Sequence, residues 1–185
     1  MRRFLVLGAN SLIAVETCRL FAAQGDAFFL ASRNAERLAR NAESLRAAGA
    51  AQVEIRALDL ADRSGHAALW QEARRALGGV DILFIAHGFL GNQKADQDDV
   101  EKSRLILETN FLSVADFLTL VAPDFEKQGH GTIAVIGSVA GDRGRQSNYL
   151  YGAAKGGLAH FLEGLRNRLH PSGVHVLTIK PGLVD

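Results

Sequence analysis

The chain has 185 residues, of which 48% are hydrophobic and 22% charged, and its formal net charge is +1. This composition predicts a single globular domain over residues 1–185, with enough apolar side chains for a sizeable core. The balanced charge argues against a nucleic-acid partner, and the single cysteine excludes an internal disulfide framework and favours the reducing cytoplasm.

The chain begins with a basic and then apolar segment that has the look of a secretion signal. Gly8, Asn10 and Ser11 interrupt its apolar run, and no cleavage site of small residues follows. The segment is therefore predicted to be a strand and a turn. No apolar stretch approaches the roughly eighteen residues of a membrane span, so none is predicted.

Short apolar runs then alternate with longer helical patterns. This alternation predicts βαβ units and a parallel sheet whose strands are covered by helices on both faces. The predicted strands are Phe4–Leu7, Ala27–Ala31, Val53–Leu58, Ile82–Ala86, Thr132–Ile136 and Val174–Ile179. The predicted helices are Ser11–Ala23, Ala35–Ala47, Arg63–Leu77, Val100–Lys127 and Tyr149–Leu169.

The last predicted helix carries an apolar stripe at intervals of three and four residues. Its members are Leu158, Phe161, Leu162, Leu165 and Leu169. A stripe of this kind packs either into the core or against a second copy of the chain, and the core is favoured.

The turn after the first strand, from Gly8 to Ala14, leads directly into a helix. Such a turn can present backbone N–H groups and the positive helix end to a pyrophosphate, with glycine where no side chain is tolerated. Gly8 is the only glycine in this turn, so a tight turn that serves packing alone stays open.

The second strand ends in Ser32 and Arg33, without an acid. A dinucleotide site places here either a carboxylate for a ribose hydroxyl or a basic residue for a 2′-phosphate. Arg33 therefore favours NADP(H), with NAD(H) as the alternative cofactor. A solvated arginine before a helix capped by Asn34 is the structural alternative.

Two tyrosines and a lysine occur in NYLYGAAKGG, residues 148–157. Residues four apart share a helix face, which places Tyr151 beside Lys155, whereas Tyr149 has Ala153 at that offset. A cation about 4 Å away can lower the pKa of a phenol by about 3 units, into the range of general acid–base catalysis. An ordinary amphipathic helix has the same spacing, so the spacing alone does not show that the pair is catalytic. The rest of the chain is needed to choose between the two interpretations.

With Gly8, the βαβ alternation, and Tyr151 followed by Lys155, the chain resembles the short-chain dehydrogenase/reductase family over its whole length. The resemblance implies a Rossmann-type α/β fold, a doubly wound parallel sheet with helices on both faces. It implies hydride transfer between a nicotinamide cofactor, preferably NADP(H), and a carbonyl or alcohol substrate. A homodimer or homotetramer is also implied.

Four catalytic residues follow from the resemblance. Tyr151 is the acid/base, Lys155 lowers the pKa of that tyrosine and holds the nicotinamide ribose, Ser138 positions the carbonyl, and Asn110 maintains a water-linked proton relay. Ser138 in IGSVAG precedes Tyr151 by thirteen residues and Asn110 lies in ETNFLSVA, as the family pattern asks. Tyr149 matches no family position and is assigned to packing or the pocket wall.

Further positions are expected to bind the cofactor. Asp59 matches the acid that hydrogen-bonds the adenine amino group, and Pro181 and Gly182 match the segment that lies near the nicotinamide. The full set is Gly8, Asn10, Ser11, Leu12, Ile13, Ser32, Arg33, Asp59, Leu60, Ala86, His87, Gly88, Tyr151, Lys155, Pro181 and Gly182. No catalytic metal is expected, since the histidines lack metal-ligand spacing.

Three departures from the family pattern motivate an alternative function. Leu12 replaces a glycine of the family turn and brings a large side chain toward the expected pyrophosphate. The family segment N-N-A-G appears as Ile85-Ala86-His87-Gly88, in which His87 is expected to hydrogen-bond locally. The chain also stops at Asp185, so a C-terminal truncation is expected, with the last strand missing and the sixth strand at an uncovered edge. The alternative is a dinucleotide-binding or scaffolding protein without turnover.

The stretch SVAGDRGRQSNYLYGAAKGG is similar to the branch of the family that contains decaprenylphosphoryl keto-sugar reductases, which reduce a lipid-linked 2-keto pentose. This similarity hints at a keto-sugar. The sequence does not otherwise identify the substrate.

Overall fold

The computed structural model describes residues 1–182. Six parallel strands form one sheet in the order β3-β2-β1-β4-β5-β6. The strands are β1 (Arg3–Leu7), β2 (Ala27–Ser32), β3 (Gln52–Ala57), β4 (Ile82–Ile85), β5 (Gly131–Ile136) and β6 (Val174–Ile179). The strand order reverses between β1 and β4, and open α/β sheets bind ligands at the carboxyl ends of the strands at such a point.

Helices cover both faces of this sheet, which confirms the predicted doubly wound fold. They are α1 (Leu12–Ala22), α2 (Ala35–Ala47), α3 (His66–Leu77), α4 (Gln93–Asp96), α5 (Val100–Leu107), α6 (Ser113–Gln128) and α7 (Tyr149–Leu169). Alternate residues of β1 enter two separate cores, as the two-residue period of a strand requires. Phe4 packs with Cys18 of α1 and Leu38 of α2, whereas Leu5 belongs to the core that contains Phe117 of α6.

The predicted helix Val100–Lys127 is not a single α-helix. α5 ends at Leu107, a π-helical turn spans Glu108–Leu112, and α6 follows. Within this turn the Nδ2 atom of Asn110 donates to the carbonyl of Ile106 at 2.9 Å. The side chain of Asn110 thus occupies the carbonyl that an α-helical backbone N–H would use, as π-helical turns allow. Apolar periodicity in the sequence does not indicate such a turn.

The stretch Val100–Gln128 is long and apolar enough to cross a membrane by length and composition. The expectation that no stretch approaches this limit is therefore wrong. Phe117, Leu118, Val121 and Phe125 are nevertheless buried in the core beneath the sheet. This burial is the pattern of a core helix, and the criterion is weak evidence for a span.

The apolar stripe of α7 is confirmed as a core-facing surface. Leu158, Leu162, Leu165 and Leu169 are buried, and Phe161 is partly buried against the same core. This face sets the rotation of α7 on the sheet. The first two turns of α7 contain Tyr151 and Lys155, and Lys155 reaches the carbonyl of Ile136 at the end of β5.

Candidate active site

The turn between β1 and α1 has the geometry that a bound pyrophosphate needs. Gly8 has φ +80°, and a Cβ atom at this position would lie 2.4 Å from the backbone nitrogen of His87. The Ser11 hydroxyl caps α1 by accepting from the N–H of Ala14 at 3.1 Å. The N–H groups of Leu12 and Ile13 have no acceptor among residues 1–182, so they are free to bind an anion.

A cavity of about 290 Å³, which we name the Arg33 cavity, opens beside this turn. It gathers residues from the carboxyl ends of β1, β2, β3 and β4. The lining comprises Gly8, Asn10, Ser11, Ser32, Arg33, Arg37, Asp59, Leu60, Ala61, Ala86, His87, Gly88 and Thr109. Most of the residues predicted to bind the adenosine half of a cofactor are therefore brought together.

Two members of the predicted turn do not contribute their side chains in the expected way. Leu12 is 60% exposed and lines neither this cavity nor the one described below, so its side chain does not fill the space over the turn. The Nδ2 atom of Asn10 already donates to the carbonyl of Asn34 at 3.0 Å. This bond fastens the turn to the start of α2 and uses one of the two amide protons of Asn10.

Arg37 is a cavity residue that the sequence reasoning missed. Its Nη2 atom donates to the carbonyl of Asn10 at 3.0 Å, which holds the guanidinium at the edge of the Arg33 cavity. A signal was present in the sequence, because Arg37 lies in the first turn of the predicted helix Ala35–Ala47, which follows Arg33 and Asn34.

A second cavity, of about 610 Å³, lies between the start of α1 and the segments that follow β4, β5 and β6. We name it the Tyr151 cavity. Its lining comprises Ile13, Leu90, Gly91, Gln93, Ile136, Gly137, Ser138, Val139, Ala140, Arg145, Ser147, Asn148, Tyr151, Pro181 and Gly182. The predicted pair Ser138 and Tyr151 thus share one space with Pro181 and Gly182. Gln93, Arg145 and Asn148 were not predicted.

Glycines hold the end of β5 close against α7. Ser138 follows β5 and caps the short turn Val139–Gly141 by accepting from the N–H of Ala140 at 3.1 Å. A Cβ atom on Gly141 would lie 2.7 Å from the backbone nitrogen of Gly156, and one on Gly152 would lie 2.8 Å from the carbonyl oxygen of Ala140. The glycines around Tyr151 therefore permit the backbone contact that brings Ser138 to its phenol.

Lys155 lies beside Tyr151 as predicted, and its ammonium group hydrogen-bonds a backbone carbonyl. Its Nζ atom lies 5.8 Å from the centroid of the Tyr151 ring and donates to the carbonyl of Ile136 at 2.9 Å. Burial raises the pKa of Tyr151, and the Ser138 hydroxyl partly opposes this shift. Burial lowers the pKa of Lys155 to about 8. Any lowering of the Tyr151 pKa by Lys155 does not outweigh burial here, and the Lys155 ammonium donates to the main chain.

Asn110 is fully buried, and its side chain bonds only the main chain. Its Oδ1 atom accepts from the N–H of Phe89 at 2.9 Å, and its Nδ2 atom donates to the carbonyls of Phe89 at 2.6 Å and Ile106 at 2.9 Å. Asn110 therefore clamps the segment after β4 to the π-helical turn. The water-linked proton relay that the resemblance implied for Asn110 stays a prediction.

His87 makes the local hydrogen bond that the sequence reasoning expected. Its Nε2 atom lies 3.1 Å from the Oγ atom of Ser113, whose hydroxyl donates to the carbonyl of Thr109 at 3.0 Å. Since this hydroxyl has a single proton, it accepts from Nε2–H, and the neutral ring carries its proton on Nε2. The buried Nδ1 atom is left without a partner among residues 1–182. Burial lowers the pKa of His87 to about 3, with a smaller contribution from the charge of Lys155.

This shift predicts an acid-sensitive contribution to stability. The folded pKa of His87 lies below the unfolded value of about 6.5, so the unfolded chain binds the proton first between about pH 6.5 and pH 3. His87 therefore supports the fold above pH 6.5 and its contribution is lost as the pH falls. We expect the free energy of unfolding of the wild type to fall more steeply than that of His87→Ala, by up to about 1.4 kcal/mol per pH unit.

Urea unfolding of both proteins between pH 7 and pH 4 measures this difference. His175→Ala is the matched control, because His175 is exposed on β6. Parallel pH curves for the wild type and His87→Ala would contradict a depressed pKa at His87.

Comparison with known proteins agrees with this geometry. Residues 2–185 match the short chain dehydrogenase family. The chain is 38% identical over 180 residues to an oxidoreductase of Mycobacterium tuberculosis, covering 97% of this chain and 72% of that protein. It is 34% identical over 184 residues to an oxidoreductase of Streptomyces coelicolor, covering 99% and 72%.

A solved structure gives the same result at the level of the fold. The crystal structure of an NAD⁺-bound xylitol dehydrogenase superposes with a TM-score of 0.89 at 26% identity, covering 98% of this chain and 70% of that one. The chain belongs to the short-chain dehydrogenase family, whose members are oxidoreductases that use a nicotinamide cofactor, NAD or NADP.

Proposed function

We propose that the protein interconverts a carbonyl compound and an alcohol with Tyr151 as the acid/base. The observation that carries this proposal is the shared lining of the Tyr151 cavity, in which the Tyr151 phenol and the Ser138 hydroxyl meet at the end of β5. Two hydroxyl donors that converge on one point can hold a single carbonyl oxygen.

The raised pKa of Tyr151 favours the direction of reduction. Near neutral pH the phenol keeps its proton, so it is ready to donate that proton to the carbonyl oxygen as negative charge develops there. The Ser138 hydroxyl donates a second hydrogen bond to the same oxygen. A bound nicotinamide cofactor supplies the hydride. The product alcohol then carries the proton that Tyr151 has lost, and the phenolate is reprotonated from solvent.

Lys155 is proposed to hold the cofactor ribose and to steady the phenolate. The bond to the carbonyl of Ile136 uses one of the three protons on its Nζ atom, and two remain for hydroxyl groups. With a pKa of about 8 the ammonium is mostly charged at pH 7. Its charge is proposed to stabilise the phenolate that forms after proton transfer, which opposes in part the rise in the Tyr151 pKa that burial causes.

The cofactor is proposed to be NADP(H) in preference to NAD(H). Arg33 is exposed and lines its cavity next to Arg37, so two guanidinium groups converge where a 2′-phosphate would lie. Arginine binds phosphate through fixed pairs of donors. The xylitol dehydrogenase that shares the fold binds NAD⁺, so the preference depends on these arginines and not on the family.

Titration with NADPH and then NADH, followed by nicotinamide fluorescence, tests the cofactor site. We expect NADPH to bind at least about tenfold more tightly than NADH, since hydrogen bonds to charged groups contribute about 1.5–3 kcal/mol. Arg33→Ala should weaken NADPH binding by a similar factor and leave NADH binding nearly unchanged. Arg40→Ala is the matched control, because Arg40 is exposed on the same helix as Arg37 and lines neither cavity.

Two outcomes would change the proposal. Equal affinity for the two cofactors in the wild type and in Arg33→Ala would remove the preference for NADP(H). Binding without reduction of any member of a broad panel of ketones and aldehydes would favour the alternative, a dinucleotide-binding protein without turnover.

The proposal includes a homodimer or homotetramer in the cytoplasm. Apolar side chains on α5, the π-helical turn and α6 are exposed in the single chain, which supports contact with another copy. They are Val100, Leu105, Leu112 and Leu120.

The only cysteine, Cys18, is consistent with the proposed cytoplasmic location. It is buried in α1, and burial raises its pKa to about 12, which leaves the thiol protonated and unreactive.

A further inference from the structure

The first turn of α7, which contains Tyr151, is not capped by the residue that precedes it. Asparagine is favoured at that position because its side-chain oxygen accepts from a backbone N–H of the first turn. Here Asn148 has φ −160° and ψ 32°, and its side chain makes no such bond. The backbone N–H groups of this turn therefore need an acceptor from another part of the chain.

Gln93 of α4 provides that acceptor. Its Oε1 atom accepts from the N–H of Leu150 at 3.0 Å, across 57 positions of the sequence. Because a backbone N–H can only donate, this bond also fixes the orientation of the Gln93 amide, with Oε1 toward α7. In the part of the chain that the structure describes, it is the only side-chain hydrogen bond to a backbone N–H of this turn.

The short helix that carries Gln93 is itself held in place by buried polar contacts. The carboxylate of Asp96 is buried and accepts from the N–H of Asn92, directly before Gln93, at 2.6 Å. The Nζ atom of Lys102 on α5 lies 3.7 Å from the same carboxylate. An ion pair and two hydrogen bonds therefore connect α5, through α4, to the residue directly before Tyr151.

The stability of the fold does not account for a glutamine at this position. The Nε2 atom of Gln93 is buried and has no partner among residues 1–182. An unpaired buried donor destabilises a fold by about as much as a capping bond stabilises it. An apolar side chain of the same length would therefore serve the fold as well. What the glutamine adds is a defined position for the start of α7.

We propose that Gln93 is a positioning residue for Tyr151, and that its bond to the N–H of Leu150 keeps the phenol beside Ser138. The phenol extends from the residue next to Leu150, so a shift of this peptide moves the phenol with it. A displacement of about 1 Å can slow a reaction between positioned groups by about 10²-fold. The inference rests on the proposed function, because Gln93 acts through Tyr151 as the acid/base.

Gln93→Met tests this role, because methionine has a similar length and offers no oxygen to the N–H of Leu150. We expect kcat to fall at least about tenfold. Cofactor affinity should stay within about twofold, since Gln93 does not line the Arg33 cavity. The melting temperature should change little, because the variant loses a capping bond and also removes an unpaired donor. Gln93→Glu keeps an oxygen for the N–H at the positive end of α7 and should recover most of the activity.

Gln97→Met is the matched control, because Gln97 is exposed at the end of the same helix and lines neither cavity. It should keep the wild-type kcat. Amide hydrogen exchange at Leu150, measured by NMR, follows the bond itself without a substrate. Exchange should be faster in Gln93→Met than in the wild type and Gln93→Glu. Equal exchange in the three proteins, wild-type kcat in Gln93→Met, or an equal loss of kcat in Gln93→Met and Gln93→Glu overturns the inference.

A double-mutant cycle with Tyr151→Phe separates this inference from the proposed function. If Gln93 acts through the phenol, Gln93→Met lowers kcat in the wild type and has no further effect on the residual rate of Tyr151→Phe. The same fold-change in both backgrounds overturns the inference and leaves Tyr151 as the acid/base. Near-wild-type turnover by Tyr151→Phe rejects the proposed mechanism, and the exchange rates at Leu150 then still test whether Gln93 holds the start of α7.

Discussion

Tyr151→Phe is expected to lower kcat by about 10²–10⁴-fold, the contribution typical of a positioned general acid. The phenol carries a donatable proton and shares the Tyr151 cavity with the Ser138 hydroxyl. Phenylalanine keeps the ring over which the Lys155 ammonium lies, so the packing of α7 is preserved. The affinity for the cofactor should therefore stay within about twofold of the wild type, since the phenol hydroxyl contributes little to dinucleotide binding.

Steady-state reduction of a ketone that the wild type accepts, with cofactor affinity measured by fluorescence, checks this expectation. Tyr149→Phe is a closely matched control. It removes the same hydroxyl two residues earlier on the same helix, where the side chain is 42% exposed and lines neither cavity. Near-wild-type turnover by Tyr151→Phe would remove the proposed mechanism, and an equal loss in both variants would point to a general effect on α7.

Packing or a place in the pocket wall is expected for Tyr149 from the sequence. Tyr149 lines neither cavity, and more than half of its surface is covered by the fold. Helical spacing favoured Tyr151 over Tyr149, since a residue four positions before Lys155 shares its face, and the resemblance to the family completed the choice. Spacing predicts which side chains are neighbours because backbone geometry is nearly invariant within a helix.

Other parts of the site follow from local rules in the same way. Each strand was predicted to within two residues, because an apolar run between turn residues has few alternatives in an α/β chain. Ser138 and Arg33 were placed correctly at the carboxyl ends of strands, where parallel sheets bind ligands. These features depend on the hydrophobic period of a strand or helix and on the residue at which it ends. Both can be predicted from consecutive residues of the sequence.

The features that were missed depend on contacts between distant segments. The Oε1 atom of Gln93 in α4 accepts from the N–H of Leu150 in α7, 57 positions away, and the Nζ atom of Lys155 donates to the carbonyl of Ile136 at the end of β5. No periodicity encodes either contact. The raised pKa of Tyr151 has the same origin, since it reflects burial in the folded chain.

Asn110→Leu is expected to destabilise the fold by about 3 kcal/mol or more, because each buried polar group left without a partner costs about 1–3 kcal/mol. The substitution keeps a similar volume and removes all three hydrogen bonds of the Asn110 side chain. The N–H and carbonyl of Phe89 and the carbonyl of Ile106 then lose that partner. For a chain of this size the melting temperature should fall by about 6 °C or more.

Thermal unfolding measures this loss, with Asn167→Leu as the control. Asn167 is exposed on α7 and makes no side-chain bond within the described residues, so its replacement should leave the melting temperature nearly unchanged. Asn110→Asp keeps the acceptor for Phe89 N–H but sets a buried carboxylate oxygen against the carbonyls of Phe89 and Ile106, so it should be at least as destabilising as Asn110→Leu. An unchanged melting temperature in Asn110→Leu would contradict a structural clamp.

The same substitution separates the clamp from a proton relay. The Oδ1 atom of Asn110 would lie 2.9 Å from a Cβ atom on Gly88, so the side chain sets the path of a segment that lines both cavities. Gly88 lines the Arg33 cavity, and Leu90 and Gly91 line the Tyr151 cavity. A clamp predicts that Asn110→Asp weakens cofactor affinity and lowers kcat together, in proportion to lost stability. A relay alone predicts a fall in kcat at constant affinity and constant stability, because only proton transfer to Tyr151 would be interrupted.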